Sequence, residues 1–353
     1  MPDRRRFLRT LAFAGASGFV LSRLPVSVAQ SARREVIIGG FPATVVDIHA
    51  HCEIKAVEPL VSGTPLERTV RQSRLLGSER LELLDELRID MQAIHVGQYW
   101  WYAADRNLTQ RITRAMNEGM ADWVAKHPRQ FVALSAVSLQ YPEVAAEELE
   151  HAVQNLGHRG ASIGGHVGGE VPSSTRFDPF WAKVEELNVP VFMHPQNASF
   201  LIDSSEFKGR GSPANIIGNP LETTVFLSGL IFDGTFDRFP NLKVCAAHGG
   251  GYLPSYSGRA DVACDVRPDA DCANQKRPRD YLKANIFVDS MVFTDEGLRH
   301  LVAEMGASQV LYGTDTPYDW PDTLDLILDA TSLSNAEKEA IVGGNAKRLL
   351  GIT

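Results

Sequence analysis

Five residues in this sequence have the types and the placement of a metal-binding site: His49, His51, His194, His248 and Asp315. Each lies in or just after a short apolar segment that is typical of a buried strand. His49 and His51 are two residues apart, so on a strand their side chains face the same way. A single histidine in such a place is more often an ordinary polar residue. The set, with imidazole nitrogens and a carboxylate, favours a site for Zn²⁺ or a similar divalent ion.

To bring these residues together, the chain needs strands and helices that alternate. Strand-like segments occupy residues 44–49, 91–97, 131–136, 160–165, 190–194, 243–247, 285–289 and 309–313. Helical patterns fall between them, for example at residues 80–87, 107–125 and 143–156. Strands separated by helices predict a parallel sheet, and eight such units predict an α/β fold closed into a (β/α)8 TIM barrel. Side chains at the C-terminal ends of its strands point into the catalytic mouth.

The length and composition of the chain suit one large domain. It has 353 residues, 44% of them hydrophobic, which is enough for one barrel with insertions. We assign residues 30–353 to this single domain. Long segments at residues 52–79 and 195–218 follow the first and fifth predicted strands, and loops of this length usually carry function.

Residues 1–29 have the features of an export signal. Consecutive arginines at Arg4, Arg5 and Arg6 precede Phe-Leu, an apolar stretch at residues 11–21 and a small-x-small site that ends at Ala29. This pattern is typical of a twin-arginine signal. It predicts recognition by the twin-arginine export machinery, cleavage near Ala29 and a periplasmic location. A membrane-anchoring helix is the alternative, but roughly eleven apolar residues are too few to span a bilayer.

The charge of the chain restricts its partners. The formal net charge is −8, and removal of residues 1–29, with five Arg and one Asp, would leave −12. So acidic a protein is a poor binder of nucleic acid or of an anionic membrane. An anionic substrate would need local arginines.

The four cysteines divide into two pairs by context. Cys52 and Cys245 lie in or beside apolar strands, which predicts reduced and packed thiols. Cys264 and Cys272 are eight residues apart in a polar segment. An oxidising compartment would permit a disulfide between them, but spacing alone leaves it open.

Several motifs together resemble the amidohydrolase superfamily. They are the His-x-His of the first strand, the segments 192–195 and 247–251, and the final Tyr-Gly-Thr-Asp-Thr-Pro at residues 312–317. Within the superfamily, the chain is similar to the branch of mononuclear-metal decarboxylases typified by aminocarboxymuconate-semialdehyde decarboxylase. The resemblance covers most of residues 44–351 and includes Pro-Leu-Glu-Thr-Thr at residues 220–224.

The resemblance implies roles for individual residues. His49, His51, His194 and Asp315 would bind one divalent metal, Zn²⁺ or alternatively Mn²⁺, and His248 would handle a proton on metal-bound water. No lysine on the fourth predicted strand suggests a carbamylated bridge between two metals, which also favours a single ion. The three glycines after His248 would let the backbone turn sharply.

The resemblance also points to residues that bind the substrate. Arg259 stands eleven positions after His248, where the decarboxylases have an arginine that binds carboxylate from a neighbouring subunit. This implies a homodimer or a higher homo-oligomer. Arg68 begins an Arg-x-x-Arg segment like that of a second carboxylate-binding arginine. His166 ends the fourth predicted strand and is a further candidate for substrate contact, and the aromatic run 100–102 with Phe200 is a candidate wall for a planar substrate.

These observations favour an enzyme that removes CO₂ from a small aromatic or unsaturated carboxylic acid. Hydrolysis of a lactone, ester or amide is the close alternative, because a metal-activated water attacks a carbonyl as readily. A non-catalytic periplasmic protein that binds a ligand or a metal is the second alternative.

Overall fold

Short, almost fully buried strands form the inner wall of the fold. The structure is a computed structural model, and it describes residues 35–196, 198, 201–202 and 209–352. The predicted export signal lies outside the described residues, as does Phe200. In chain order the strands are β1 (Val36–Ile38), β2 (Phe41–Ala43), β3 (Val46–His51), β4 (Met91–His95), β5 (Phe131–Ala133), β6 (Ser135–Ala136), β7 (Ala161–Ile163), β8 (Val191–Met193), β9 (Val244–Ala246), β10 (Ile286–Asp289) and β11 (Val310–Leu311).

The strands from β3 onward pair in parallel and close into a ring. One sheet has the order β3-β4-β5, and the other runs from β6 through β11 in sequence order. Only Leu134 separates β5 from β6, and its amide donates to the carbonyl of Ile94 at 2.9 Å, so β5 and β6 together fill one position in the barrel. The amide of Ile48 donates to the carbonyl of Tyr312 at 3.0 Å, which joins β3 to the chain after β11. Eight strand positions result, each overlapping a predicted segment, and the predicted TIM barrel is confirmed.

Helices cover the outside of this ring, and their ends follow local signals. In α3, Asp105 caps the N-terminus by accepting from the amide of Leu108, and Ile112, Met116 and Met120 form its buried stripe. The helices are α1 (Glu58–Val61), α2 (Ser78–Glu86), α3 (Arg106–Lys126), α4 (Pro142–Leu156), α5 (Asp178–Leu187), α6 (Asn219–Phe232), α7 (Thr235–Arg238), α8 (Leu253–Val266), α9 (Pro278–Leu282), α10 (Asp295–Met305), α11 (Leu324–Asp329), α12 (Asn335–Glu339) and α13 (Asn345–Leu350).

An antiparallel hairpin of β1 and β2 precedes the barrel, with Val36 opposite Ala43. The sequence does not predict it, because three-residue strands are too short to show a period.

The apolar core extends to the predicted metal ligands. A buried cluster that includes Val46, Ile48, Phe192 and Leu311 also contains residues of α13. The Phe192 ring centroid lies 5.1 Å from that of His49. The imidazoles therefore sit on an apolar floor, which removes them from bulk water.

The cysteines fall into the two classes that their contexts indicate. Cys52 and Cys245 are free and buried, as predicted. Cys264 and Cys272, at the end of α8 and in the segment after it, form a disulfide.

Among the helices of the described residues, none has the length and hydrophobicity required to cross a membrane.

Candidate metal centre and active site

Four side chains predicted as metal ligands converge at the mouth of the barrel. Nε2 of His49 and Nε2 of His51 are 3.2 Å apart, and Oδ1 of Asp315 lies 3.1 Å from the first and 2.7 Å from the second. Nε2 of His194 lies 3.9 Å from the same oxygen. All four residues are buried. The structure thus brings together the whole predicted ligand set.

The barrel places these side chains through local geometry. His49 and His51 occupy alternate positions of β3 and share a face, while His194 directly follows β8. The Asp315 amide donates to the carbonyl of His49 at 2.9 Å, so the chain after β11 remains tied to β3. Asp315 and His248 have positive φ angles of 58° and 57°. Such angles are uncommon outside glycine and concentrate at functional sites.

Glycines make room for this arrangement, as predicted for residues 249–251, which all have positive φ angles. A Cβ atom on Gly251 would lie 2.3 Å from the carbonyl oxygen of Pro220. A Cβ on Gly97 would lie 1.8 Å from Nδ1 of His51. A side chain at either position would collide with the walls of the site.

Asp289 supports the ligand set, and the sequence analysis missed it. It ends β10, and its Oδ2 accepts from Nδ1 of His49 at 2.7 Å. Its carboxylate also accepts the backbone N–H groups of His248 and Gly249, each at 2.8 Å. A carboxylate that orients a ligating imidazole in this way is a usual part of metal sites. Its position at the end of a predicted strand was the signal available in the sequence.

A second buried network holds the chain segments that carry the ligands. Nη2 of Arg80 donates to the carbonyl of His51 at 2.6 Å, and its Nη1 donates to Oε1 of Gln92 at 3.0 Å. Nε2 of Gln92 donates to Asp47 at 2.8 Å, and Asp47 also accepts from the amide and hydroxyl of Thr314. These hydrogen bonds connect β3, β4 and the chain leading to Asp315. The sequence patterns indicated none of the four residues of this network, Asp47, Arg80, Gln92 and Thr314.

Burial and neighbouring charges set the protonation of the ligands. Burial lowers the pKa of His51 to about 4. Burial, together with His51 and His49, holds the pKa of His194 well below its ordinary value. Burial alone would raise the pKa of Asp315, but His49 and the other imidazoles keep it well below the ordinary value. His51 and His194 therefore offer neutral imidazoles and Asp315 a charged carboxylate, the forms that bind metal.

His49 differs from the other two histidines because two carboxylates contact it. Burial would lower its pKa, but Asp315 and Asp289 outweigh burial and raise it to about 10. A metal that binds here would displace a proton from this ring.

The donor spacing fits one divalent ion. Ligand atoms about 2.1 Å from a tetrahedral metal lie about 3.4 Å from one another, and the separations here run from 2.7 to 3.9 Å. His248 lies beside this set, with Nε2 3.7 Å from Oδ2 of Asp315. One group of potential ligands in the structure includes His248 with His49, His194 and Asp315. Its assignment to proton transfer therefore stays a prediction.

A cavity of about 340 Å³ opens onto the metal site. Aromatic and amide side chains make up much of its wall, and none of the described lining residues is an arginine or a lysine. The lining residues are Gly97, Gln98, Tyr99, Trp100, His194, Pro195, Gln196, Asn215, Asn219, His248, Asp315, Tyr318 and Trp320. Of the predicted aromatic run, Trp100 lines the cavity, whereas Trp101 is buried and donates to the carbonyl of Val137.

Glu222, in the Pro-Leu-Glu-Thr-Thr motif, holds the loop after His194. It is fully buried in α6, and its carboxylate accepts the backbone amides of Gln196 and Gly165 at 3.0 to 3.1 Å. The motif was visible in the sequence, but this supporting role was not.

The predicted substrate-binding residues lie outside the lining of this cavity. The guanidinium of Arg68 pairs with Glu53 at 2.7 Å and lies 4.7 Å over the ring of Trp100, a wall residue. Nδ1 of His166 accepts from the amide of Gly169 at 3.1 Å, within a turn. Arg259 is exposed on α8, and no ion pair or hydrogen bond to another described residue is found for it. Their contact with substrate stays a prediction.

We expect one divalent metal ion per chain, because one set of four donors converges on one point. Elemental analysis of protein purified without a chelator measures this ratio. A ratio near zero with full activity, or near two with both ions required, would contradict a mononuclear site.

Comparisons with known proteins agree with this geometry. The amidohydrolase family model matches residues 46–352. The chain is 31% identical to the 2-amino-3-carboxymuconate-6-semialdehyde decarboxylase of Dictyostelium discoideum, over 87% of this chain and 85% of that protein. It is 32% identical to the gamma-resorcylate decarboxylase of Rhodococcus jostii, over 79% and 89%.

A solved structure is similar over nearly the whole barrel. The dihydroxybenzoic acid decarboxylase of Polaromonas sp., with bound manganese and the inhibitor 2-nitroresorcinol, superposes with a TM-score of 0.72 at 25% identity, covering 88% of this chain and 97% of that one. The barrel, its converging donors and these matches together establish that this chain belongs to the amidohydrolase family.

Proposed function

We propose that this protein is a metal-dependent decarboxylase that acts on a small aromatic or unsaturated carboxylic acid. The observation that carries the proposal is the cavity of aromatic and amide residues whose floor holds His248 beside the converging metal ligands. The relatives support it, because the names of the proteins compared above are those of decarboxylases of unsaturated or aromatic acids.

His248 is positioned to move the proton that the reaction requires. When the bond between a substrate carbon and its carboxylate breaks, CO₂ leaves and the electron pair remains on the carbon, which must gain a proton. His248 lines the cavity, and the carboxylate of Asp289 fixes its backbone amide at 2.8 Å. An imidazole in this place can deliver that proton as a general acid.

The remaining residues of the site bind and orient the substrate. A divalent ion held by His49, His51, His194 and Asp315 would act as a Lewis acid and orient a substrate oxygen. Tyr99, Trp100 and Tyr318 give the cavity flat walls that suit a planar ring.

The ion is Zn²⁺ or Mn²⁺ in our proposal. The three-histidine set favours Zn²⁺, while the related structure from Polaromonas contains manganese. Elemental analysis of the purified protein distinguishes them.

In our proposal, a neighbouring subunit supplies the positive charge that the described lining of the cavity lacks. The described lining contains neither arginine nor lysine, although the substrate is an anion. On α8, Arg259 is exposed among Tyr256, Val262 and Val266, whose exposed fractions are 61%, 56% and 65%. An apolar helix face with one arginine suits the interface of a homodimer or larger homo-oligomer, in which Arg259 reaches the partner's cavity.

A substrate screen tests the reaction. The metal-loaded protein is incubated with aromatic carboxylates and with lactones, esters and amides, and CO₂ release is followed separately from acid release. We expect CO₂ from carboxylates. Acid release without CO₂ would favour the hydrolase, and ligand binding without turnover of any compound would favour a non-catalytic binding protein.

The protein is exported to the periplasm in our proposal. The arginine-rich leader supports this location, as does the disulfide between Cys264 and Cys272, because disulfides persist in oxidising compartments.

We expect the exported protein to begin near Gln30, which mass spectrometry of the periplasmic fraction measures. The matched control replaces Arg4, Arg5 and Arg6 with lysine, which keeps the charge but removes the arginine pair, and should leave the protein in the cytoplasm. An intact wild-type chain confined to the cytoplasm would contradict the predicted periplasmic location.

A further inference from the structure

A fifth imidazole adjoins the metal site and has no role so far. His95 is the last residue of β4, fully buried, and pairs across the strands with His51 of β3. Its ring centroid lies 4.7 Å from that of His51 and 5.8 Å from that of His49. One ring nitrogen of each of the three histidines lies within 4.8 Å of the other two. The sequence analysis did not select His95, although it lies in a predicted strand.

The outer nitrogen of His95 is held by a short chain of hydroxyl groups. Nδ1 lies 3.3 Å from Oγ of Ser162, which lies 2.6 Å from the hydroxyl of Tyr99. Both partners are buried. If Nδ1 carries the hydrogen and donates it to Ser162, Nε2 keeps its lone pair. His49 has the same pattern, with Nδ1 bound to Asp289 and Nε2 directed at the other ligands.

The inner nitrogen of His95 has no protein partner. Nε2 is buried without a hydrogen bond to any described residue. Buried polar atoms in native proteins are nearly always satisfied, so an exception needs an explanation such as an absent ion.

A second buried histidine shows the ordinary alternative. Nδ1 of His158 lies 3.1 Å from Oγ of Ser135, and its Nε2 lies 3.1 Å from the carbonyl of Asn117. Its ring is also buried, and it also has a serine partner. Both of its nitrogens are satisfied by protein. At His158, the protein therefore satisfies both nitrogens of a buried imidazole without an ion.

We propose that His95 is an additional ligand of the divalent ion, bound through Nε2 and oriented by Ser162. This inference rests on the metal site of the proposed function. Together with His49, His51, His194 and Asp315, it gives four nitrogens and one oxygen. Such a set exceeds the four positions of a tetrahedral ion and leaves one position of an octahedral ion for a substrate oxygen.

Cobalt(II) provides a test that does not depend on activity. The full-length protein is stripped of metal with a chelator and titrated with Co²⁺. Its affinity for Co²⁺ is measured by chelator competition, and the visible absorption spectrum is recorded at the same time. Tetrahedral Co²⁺ absorbs more strongly than five- or six-coordinate Co²⁺. We expect a weak band in the wild type.

For His95→Ala, we expect the affinity to fall by about 10–100-fold and the visible band to strengthen. His158→Ala is the matched control, because it removes another buried imidazole that has a serine partner and lies away from the site. It should leave both measurements unchanged. Circular dichroism of the stripped proteins verifies folding.

Ser162→Ala is the second variant, which keeps every imidazole and remains informative if His95→Ala does not fold. It should weaken Co²⁺ binding by a smaller factor and shift the band. If His95→Ala folds and keeps the Co²⁺ affinity and spectrum of the wild type, the inference is overturned. If only Ser162→Ala folds, the same result for that variant overturns it. In either case the proposed function remains intact. Failure of the wild type to bind any divalent ion would overturn both.

Discussion

His248→Ala is expected to lower kcat by about 10²–10⁴-fold, the usual contribution of a general acid or base, and to leave the metal bound. The physical reason is position. His248 lines the cavity, where its ring can reach a bound substrate, and we assign it to proton transfer and not to the ligand set. Steady-state kinetics and elemental analysis of the same preparation measure the two effects.

His194→Ala is the matched comparison, because it removes an imidazole that we assign as a ligand. It should lose both turnover and metal. Loss of metal from His248→Ala as well would make His248 a ligand and would transfer the proton step to another group.

Arg259→Ala is expected to reduce kcat/KM by about 10–100-fold, the value of one hydrogen bond to a charged group, without loss of metal. The acidic surface repels a carboxylate substrate, so its binding needs a fixed positive charge. Arg299→Ala is the control, since Arg299 is also exposed on a helix, where it pairs with Glu296. It should leave kcat/KM unchanged.

Mixed oligomers determine which subunit provides Arg259. In a hybrid dimer of Arg259→Ala and His248→Ala chains, one site contains His248 from the first chain and Arg259 from the second. Because the interface of a symmetric dimer is reciprocal, we expect about half of wild-type activity. The hybrid is isolated with two different affinity tags. An inactive hybrid would place Arg259 in the site of its own chain, and an Arg259→Ala enzyme with full activity would place Arg259 outside the reaction.

The sequence by itself determined the barrel and the side chains predicted to bind the metal. Each barrel strand is a short apolar segment between helical patterns, and this signal is local, so all eight positions could be read directly. His49 and Asp315 are 266 positions apart. They could still be placed together, because parallel strands of one barrel end at the same mouth.

Only the tertiary structure decided which other polar residues support the site. Asp289, Glu222 and His95 are single polar residues in or beside apolar segments, and their neighbours in the sequence do not show which part of the site each one contacts. Their partners lie 26 to 240 residues away for the first two and 44 to 67 residues away for His95. The charge states of the ligands could not be predicted from the sequence for the same reason. Burial and neighbouring charged groups set a pKa, and both exist only once the ring of strands has closed.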